Sequence, residues 1–83
     1  MKTYVEIIRA LREDNDLTQE FVANVLGTTQ QVYYRYEKGI NEIPVRHIIT
    51  LCKFYQVSAD YMLGLSSQRD VSSQPVKQTR KNR

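Results

Sequence analysis

The stretch from Leu17 to Gly39, LTQEFVANVLGTTQQVYYRYEKG, decides how this chain folds. Apart from the neighbouring pairs 22/23 and 32/33, its apolar residues recur within each half at spacings of three to five, which predicts two amphipathic helices that share one core rather than alternating strands. These residues are Leu17, Val22, Ala23, Leu26, Val32, Tyr33 and Tyr36. Gly27 stands where the first helix must end, since glycine adopts the left-handed C-cap conformation without strain. Thr29 then offers a hydroxyl N-cap to a second helix that begins at Gln30.

The second helix of this segment has two chemically different faces. Tyr33, Tyr36 and Glu37 follow the i, i+3, i+4 spacing of one face, which we expect to pack. The other face carries polar side chains, namely Gln30, Gln31, Tyr34, Arg35 and Lys38. Two short helices around a glycine-containing turn, with one free face on the second helix, are typical of a helix-turn-helix that reads DNA.

Helix signals continue on both sides of this segment. Thr3 and Glu6 form a capping box for a first helix. Pro44 is favoured in the first turn of a fourth helix, and Ser58 caps a short fifth helix. We predict helices over about residues 4–14, 19–26, 30–38, 44–55 and 59–63. The expected fold is all-α, with five helices in one domain over residues 1–65.

The size of the chain limits what it can do. Its 83 residues, 41% of them hydrophobic, suffice for one small domain, which leaves no room for an enzyme cleft beside a core. A domain of this size buries only about 60% of the surface that its unfolded chain exposes, so its helices must pack well or it must dimerise. The residues form no Ser/His/Asp or Cys/His set for nucleophilic catalysis, so we do not expect an enzyme.

The reactive residue types also have structural interpretations. The single cysteine, Cys52, excludes an intrachain disulfide and points to a reducing compartment, and we interpret it as part of the core. His47 is expected to face solvent or a subunit contact and not to bind a ligand. The sequence has no cluster of cysteine and histidine residues, so no zinc or other cofactor is predicted.

Apolar runs in this sequence are short. None approaches the roughly 18 apolar residues that span a bilayer, and residues 1–14 lack the features of a signal peptide. We therefore expect a cytoplasmic protein without a membrane partner or a small-molecule substrate.

The net charge of +3 is unevenly distributed. Seven basic against eight acidic residues between Met1 and Leu65 leave a charge of −1, whereas five basic against one acidic residue from Ser66 to Arg83 leave +4. Residues 66–83 are polar and basic and are predicted to be a disordered tail. The tail would add salt-dependent affinity for phosphates, and sequence preference would depend on the helix-turn-helix.

Residues 3–65 resemble the phage repressor/Cro-type, or XRE-like, helix-turn-helix family. The matching motifs are LTQEFVANVLG, TTQQ at the start of the third helix, YEKG at its end, and VSADYMLGL after the fourth helix. The resemblance implies a compact, lambda-repressor-like domain that binds operator DNA, usually as a symmetric homodimer. The operator would be pseudo-palindromic, with half-sites about 34 Å apart.

The resemblance implies base contacts from the third helix. Gln30 and Gln31 occupy positions that reach base edges in glutamine-bearing relatives. A glutamine amide pairs with adenine N6 and N7, and a good bidentate pair discriminates by about 1 to 3 kcal/mol. One turn further along, Arg35 would read a guanine or hold a phosphate, and Tyr34 would contact a thymine methyl or a phosphate.

The same resemblance also implies phosphate contacts, one buried ion pair and a dimer surface. The implied phosphate contacts are Gln19, Thr29, Lys38 and Asn41. Arg12 and Glu37 would form a largely buried ion pair. Candidates for a dimer surface are Tyr61, Met62 and Leu65. The loop after the third helix departs from the family, because it carries the acidic Glu42 where some members have basic residues.

Two functions are therefore open. The first is a transcriptional regulator, expected to be a repressor, that reads operator DNA in the major groove. The second is an antitoxin-like or other protein-interaction module, in which the same fold holds a polypeptide and DNA binding is secondary. The first is the leading hypothesis. The second is supported by the near-neutral body, the acidic loop and the six tyrosines, since tyrosine is enriched at protein interfaces.

Overall fold

The computed structural model describes residues 3–67, which form five helices. They are α1 (Tyr4–Asp14), α2 (Gln19–Leu26), α3 (Gln30–Glu37), α4 (Val45–Tyr55) and α5 (Ala59–Met62). The predicted five-helix, all-α fold is confirmed, and the helix ends differ from the predicted ones by only a residue. Pro44 is the N-cap of α4 rather than part of its first turn. The predicted basic tail lies outside the described residues from position 68 onward.

Hydroxyl side chains set the starts of four helices. Thr3 and Glu6 form the predicted capping box, with Thr3 N–H donating to Glu6 Oε1 at 2.9 Å. Thr18, Thr29 and Ser58 each accept a hydrogen bond from the backbone three residues on, at 3.0, 3.2 and 3.0 Å. Each bond satisfies an N–H that has no partner within its helix, which fixes where the helix begins.

The core lies where the apolar faces of all five helices meet. Helix α2 packs against α3 and α4, and α1 packs against α3 and α5. The largest fully buried side chains are Ile8, Leu11, Val22, Tyr33, Leu51 and Met62. This arrangement holds α2 and α3 together across the turn at Gly27, whose φ of +73° is the expected left-handed cap.

Three side chains occupy positions that differ from the predicted ones or were not foreseen. His47 is buried against the Tyr36 ring, with 6.0 Å between ring centroids, so the prediction that it faces solvent or a subunit was wrong. Met62 is 0% exposed and therefore has no surface to offer a dimer partner. Ile43, in the loop before α4, is also part of the core. All three side chains are therefore part of the buried interior.

None of the helices in residues 3–67 combines the length and the apolar character needed to cross a bilayer.

Candidate nucleic-acid interface

Helix α3 separates its buried and exposed faces as predicted. Tyr33, Tyr36 and Glu37 are buried. The exposed residues of the helix and of its C-cap are Gln30, Gln31, Tyr34, Arg35 and Lys38. The helix thus presents a continuous polar surface, which begins at the turn after Gly27, while its other face is anchored in the core. A helix held in this way can offer its exposed side chains to a groove without losing its packing.

A buried ion pair anchors the C-terminal end of α3. Arg12 Nε donates to Glu37 Oε2 at 2.7 Å, and Arg12 Nη2 donates to Glu37 Oε1 at 3.1 Å. The Glu37 side chain is 3% exposed and the Arg12 side chain 14%. Arg12 Nη1 also donates to the Leu17 carbonyl at 2.9 Å. The predicted pair of Arg12 and Glu37 therefore joins α1 to the end of α3 in bidentate geometry, the strongest form of such a contact.

The Glu37 carboxylate also binds Gln19, which is one of the predicted DNA phosphate contacts. Gln19 Nε2 donates to Glu37 Oε1 at 3.2 Å, so the Gln19 side chain is half-buried between α2 and α3. Its backbone N–H lies in the first turn of α2, where N–H groups have no partner within the helix. Any phosphate contact at this position would therefore use the backbone N–H or the remaining amide hydrogen.

These hydrogen bonds decide the charge state of Glu37. Burial alone would raise the pKa of this carboxyl, but hydrogen bonds and the positive charge of Arg12 lower it below its ordinary value. The same hydrogen bond acts on Arg12 in the opposite direction: it raises the pKa of the guanidinium, although burial alone would lower it. Both groups therefore stay charged at neutral pH.

Two buried tyrosine hydroxyls lie beside this pair. The Tyr33 hydroxyl lies near Glu37 and helps to lower the pKa of that carboxyl. Neither the Tyr33 hydroxyl nor the Tyr55 hydroxyl has a hydrogen-bond partner of good geometry. Burial raises the pKa of Tyr55 to about 12. Both phenols are thus neutral and belong to the support of α3 rather than to its exposed face.

The C-terminal end of α3 is also tied to the loop that follows. The Arg35 carbonyl accepts hydrogen bonds from the N–H groups of Ile40 and Asn41, at 3.0 and 3.3 Å. Asn41 is exposed there, while Thr29 is exposed at the opposite end of the helix. The Thr29 hydroxyl accepts a bond from Val32 N–H and can still donate its own hydrogen. The structure thus places Thr29 and Asn41 at the two ends of the exposed face of α3.

A side-chain contact on this face was not foreseen. Lys38 Nζ lies over the Tyr34 ring, 5.6 Å from its centroid. The two residues are four positions apart on one helix, and this spacing was available in the sequence as a signal. The contact between Gln19 and Glu37 had no such signal, since it joins residues from different helices.

Other chemistry is sparse in this part of the chain. Residues 3–67 contain no group of three or more histidine, cysteine, aspartate or glutamate side chains that could hold a metal ion. Burial raises the pKa of the half-buried Cys52 thiol, as expected for a packing residue. Of the dimer candidates other than Met62, Leu65 is 70% exposed, and Tyr61 is half-buried against the core.

Comparison with known proteins places this geometry in a family. The helix-turn-helix family profile matches residues 8–62. An uncharacterised HTH-type transcriptional regulator of Bacillus subtilis, YobD, is 34% identical over 67 residues, which cover 81% of this chain and 60% of YobD. The cryptic phage CTXphi transcriptional repressor RstR of Vibrio cholerae is 44% identical over 50 residues, which cover 60% of this chain and 45% of RstR.

A solved structure has the same fold. The P22 c2 repressor, crystallised in complex with a synthetic operator, superposes with a TM-score of 0.71 at 24% identity, covering 80% of this chain and all of that one. The chain spans only 45% to 64% of the length of the curated relatives it matches. The likeness therefore concerns the helix-turn-helix domain, and the relatives contain further sequence.

Proposed function

The chain belongs to the helix-turn-helix family, and we propose that it is a sequence-specific, DNA-binding transcriptional repressor. The observation that carries the proposal is the exposed polar face of α3, whose opposite face is anchored in the core through the buried Glu37. Curated relatives named as transcriptional regulators and a repressor support it. Such a regulator would act in the cytoplasm on double-stranded DNA, without enzymatic activity.

We assign base recognition to the start and middle of α3. The N-terminal residues of a recognition helix contact base edges when the helix enters the major groove. Gln30 and Gln31 stand there, and their amides can both donate to and accept from adenine. Arg35, one turn further, would read a guanine or hold a phosphate. The face therefore combines amide and guanidinium groups suited to base edges.

Phosphate contacts would flank these residues. Thr29 and the first turn of α2, where Gln19 lies, would meet the backbone at one end, since helix N-termini attract anions. Lys38 and Asn41 would meet it at the other end. Such contacts set register and carry no sequence information directly.

Binding as a homodimer is part of the proposal. Two copies would place their α3 helices in successive major grooves of a pseudo-palindrome, about 34 Å apart. The exposed Leu65, after α5, and the partly exposed Tyr61, within α5, support a contact at this end of the domain. Sedimentation of the wild type and Leu65→Asp on and off DNA tests this. An association unaffected by Leu65→Asp would move the dimer contact elsewhere.

The decisive experiment is selection of preferred duplexes from a random pool, followed by binding of Gln30→Ala and Gln31→Ala at fixed salt. Loss of preference at discrete base pairs is expected, with about 1 to 3 kcal/mol less discrimination at each. Gln56→Ala, at an exposed glutamine outside α3, is the matched control and should bind as the wild type does. Uniform weakening by the α3 variants would instead indicate phosphate contacts.

A second candidate function is favoured by one surface. Phe21 of α2 and Phe54 of α4 are both exposed and in contact, with 6.2 Å between ring centroids. Exposed aromatic pairs are suited to protein partners. An antitoxin-like or other protein-interaction module would use such a surface. If selection yields no preferred duplex, this candidate takes precedence.

A further inference from the structure

The Tyr34 ring is partly covered on the exposed face of α3. Lys38 Nζ lies 5.6 Å from the ring centroid, while the residue as a whole remains 42% exposed. A cation over an aromatic face at an exposed site favours that arrangement by about two- to fivefold. Lys38 thus restrains the ring without burying it.

The Tyr34 ring has glutamines on its N-terminal side along α3 and a lysine on its C-terminal side. Tyr34 follows Gln30 by four residues and Gln31 by three, so the three side chains share one face. Side chains on a helix lean toward its N-terminus, which brings the ring over the turn that carries the glutamines. Its cationic neighbour, Lys38, comes from the C-terminal side. The ring is therefore an apolar surface set beside the two amides assigned to base edges.

This placement favours a base contact over a phosphate contact. Phosphates are neutralised by cations, and Arg35 and Lys38 provide these on and beside the same helix. In the major groove, the thymine C5-methyl is the apolar group that distinguishes one base pair from another. An aromatic ring among amides is suited to that methyl group.

We propose that the Tyr34 ring packs against a thymine 5-methyl group next to the bases read by Gln30 and Gln31, with Lys38 as the residue that positions the ring. The inference rests on the proposed function and names one feature of the DNA that this site would select. Replacing that thymine by uracil removes only the methyl group. Removal of one buried methyl corresponds to about a fourfold weaker Kd.

The test uses the full chain and the preferred duplex from the selection. Each thymine is replaced in turn by uracil, and Kd is measured for the wild type, Tyr34→Phe, Tyr34→Ala and Lys38→Met. We expect one thymine per half-site at which uracil weakens the wild type and Tyr34→Phe by about fourfold. In Tyr34→Ala the two duplexes should bind equally.

Lys38→Met tests the positioning role separately. It keeps an aliphatic chain and removes the charge, so it should weaken binding to both duplexes because one phosphate is no longer neutralised. The diagnostic quantity is the ratio of Kd values for uracil and thymine duplexes, which should fall below that of the wild type. A ratio equal to the wild-type ratio would overturn the role of Lys38.

Other outcomes overturn the inference as a whole. Equal binding of the wild type to every uracil duplex would do so, as would a uracil penalty that persists in Tyr34→Ala. Uniform weakening by Tyr34→Phe, without a uracil penalty, would assign the hydroxyl to a phosphate instead. A selection without any preferred duplex would overturn the proposed function too, which distinguishes the two failures. Circular dichroism checks that each variant is folded.

Discussion

Glu37 shows how one buried charge organises α3 and its neighbours. Its carboxylate accepts hydrogen bonds from Arg12 and Gln19, so α1, α2 and α3 meet at a single group. A buried carboxylate without these partners would lose far more solvation energy than packing returns. The orientation of α3 therefore depends on the pair remaining intact.

Removing one partner of this pair should be more harmful than removing both. Arg12→Met strands the Glu37 carboxylate, and we expect a loss of about 3 to 5 kcal/mol in the free energy of unfolding. The double variant Arg12→Met/Glu37→Met leaves no stranded charge and should be more stable than Arg12→Met alone. Urea unfolding measures both. An unchanged melting temperature for Glu37→Gln would contradict the structural role of the pair.

The same pair predicts a response to acid. The pKa of Glu37 is lowered in the folded chain, so its contribution to stability is present above the unfolded value of 4.5 and is lost as pH falls through the folded value. Glu37→Gln should flatten this part of the stability profile. Thermal melts below pH 4.5 compare the two proteins, and parallel profiles would contradict the assignment.

His47 predicts a second response, at higher pH. Burial, with the nearby charge of Arg46, lowers the pKa of this imidazole below its ordinary value of 6.5. Below that pH the unfolded chain takes up a proton that the folded chain does not, so stability should fall as pH decreases from 6.5 toward the folded pKa. In His47→Phe, the slope of unfolding free energy just below pH 6.5 should be smaller. An equal slope would show that other groups cause it.

At the scale of the helices, the residues at the helix ends determine the fold as much as the apolar faces do. Threonine and serine N-caps were predictable from local sequence, because each cap bonds to an N–H three residues on. Helix C-termini differ, since in the described residues each helix is ended or closely followed by a residue with positive φ. Gly27 ends α2 at φ +73°, whereas a glutamine, Gln56, ends α4 at φ +58°.

These two C-caps should respond oppositely to substitution. A Cβ at Gly27 would meet no atom within 4 Å, so Gly27→Ala tests conformation alone and should cost about 1 to 2 kcal/mol. Gln56→Gly relieves the same strain and, after the added flexibility of the unfolded chain, should stabilise by about 0.5 kcal/mol. Urea unfolding measures both, and changes in the same direction would contradict the explanation.

At the scale of the whole molecule, charge is divided unevenly between two parts of the chain. Residues 1–65 carry a net charge of −1 and residues 66–83 a charge of +4. Helix α3 therefore belongs to a part of the chain whose net charge gives it little long-range attraction for DNA. We expect sequence preference from α3 and nonspecific affinity from the basic residues that follow.

Removing the basic charges should separate these contributions. Truncation after Leu65 should weaken binding to all duplexes and reduce the slope of log K against log salt, by about 0.9 for each phosphate that the tail no longer neutralises. The ranking of duplexes should survive. The matched control is the full-length chain with glutamine at Arg69, Lys77, Arg80, Lys81 and Arg83. Either protein binding with the wild-type slope would exclude this role for the tail.

Sequence alone determined the five helices, the N-caps of four of them and the division of α3 into two faces, because periodicity and capping depend on residues only a few positions apart. It also indicated the pair of Arg12 and Glu37, but through family resemblance rather than local pattern. Burial of His47 and Met62 and the capture of Gln19 by Glu37 were decided by the tertiary structure. These features depend on which helix surfaces meet across the core, and no local spacing of residues specifies such a meeting.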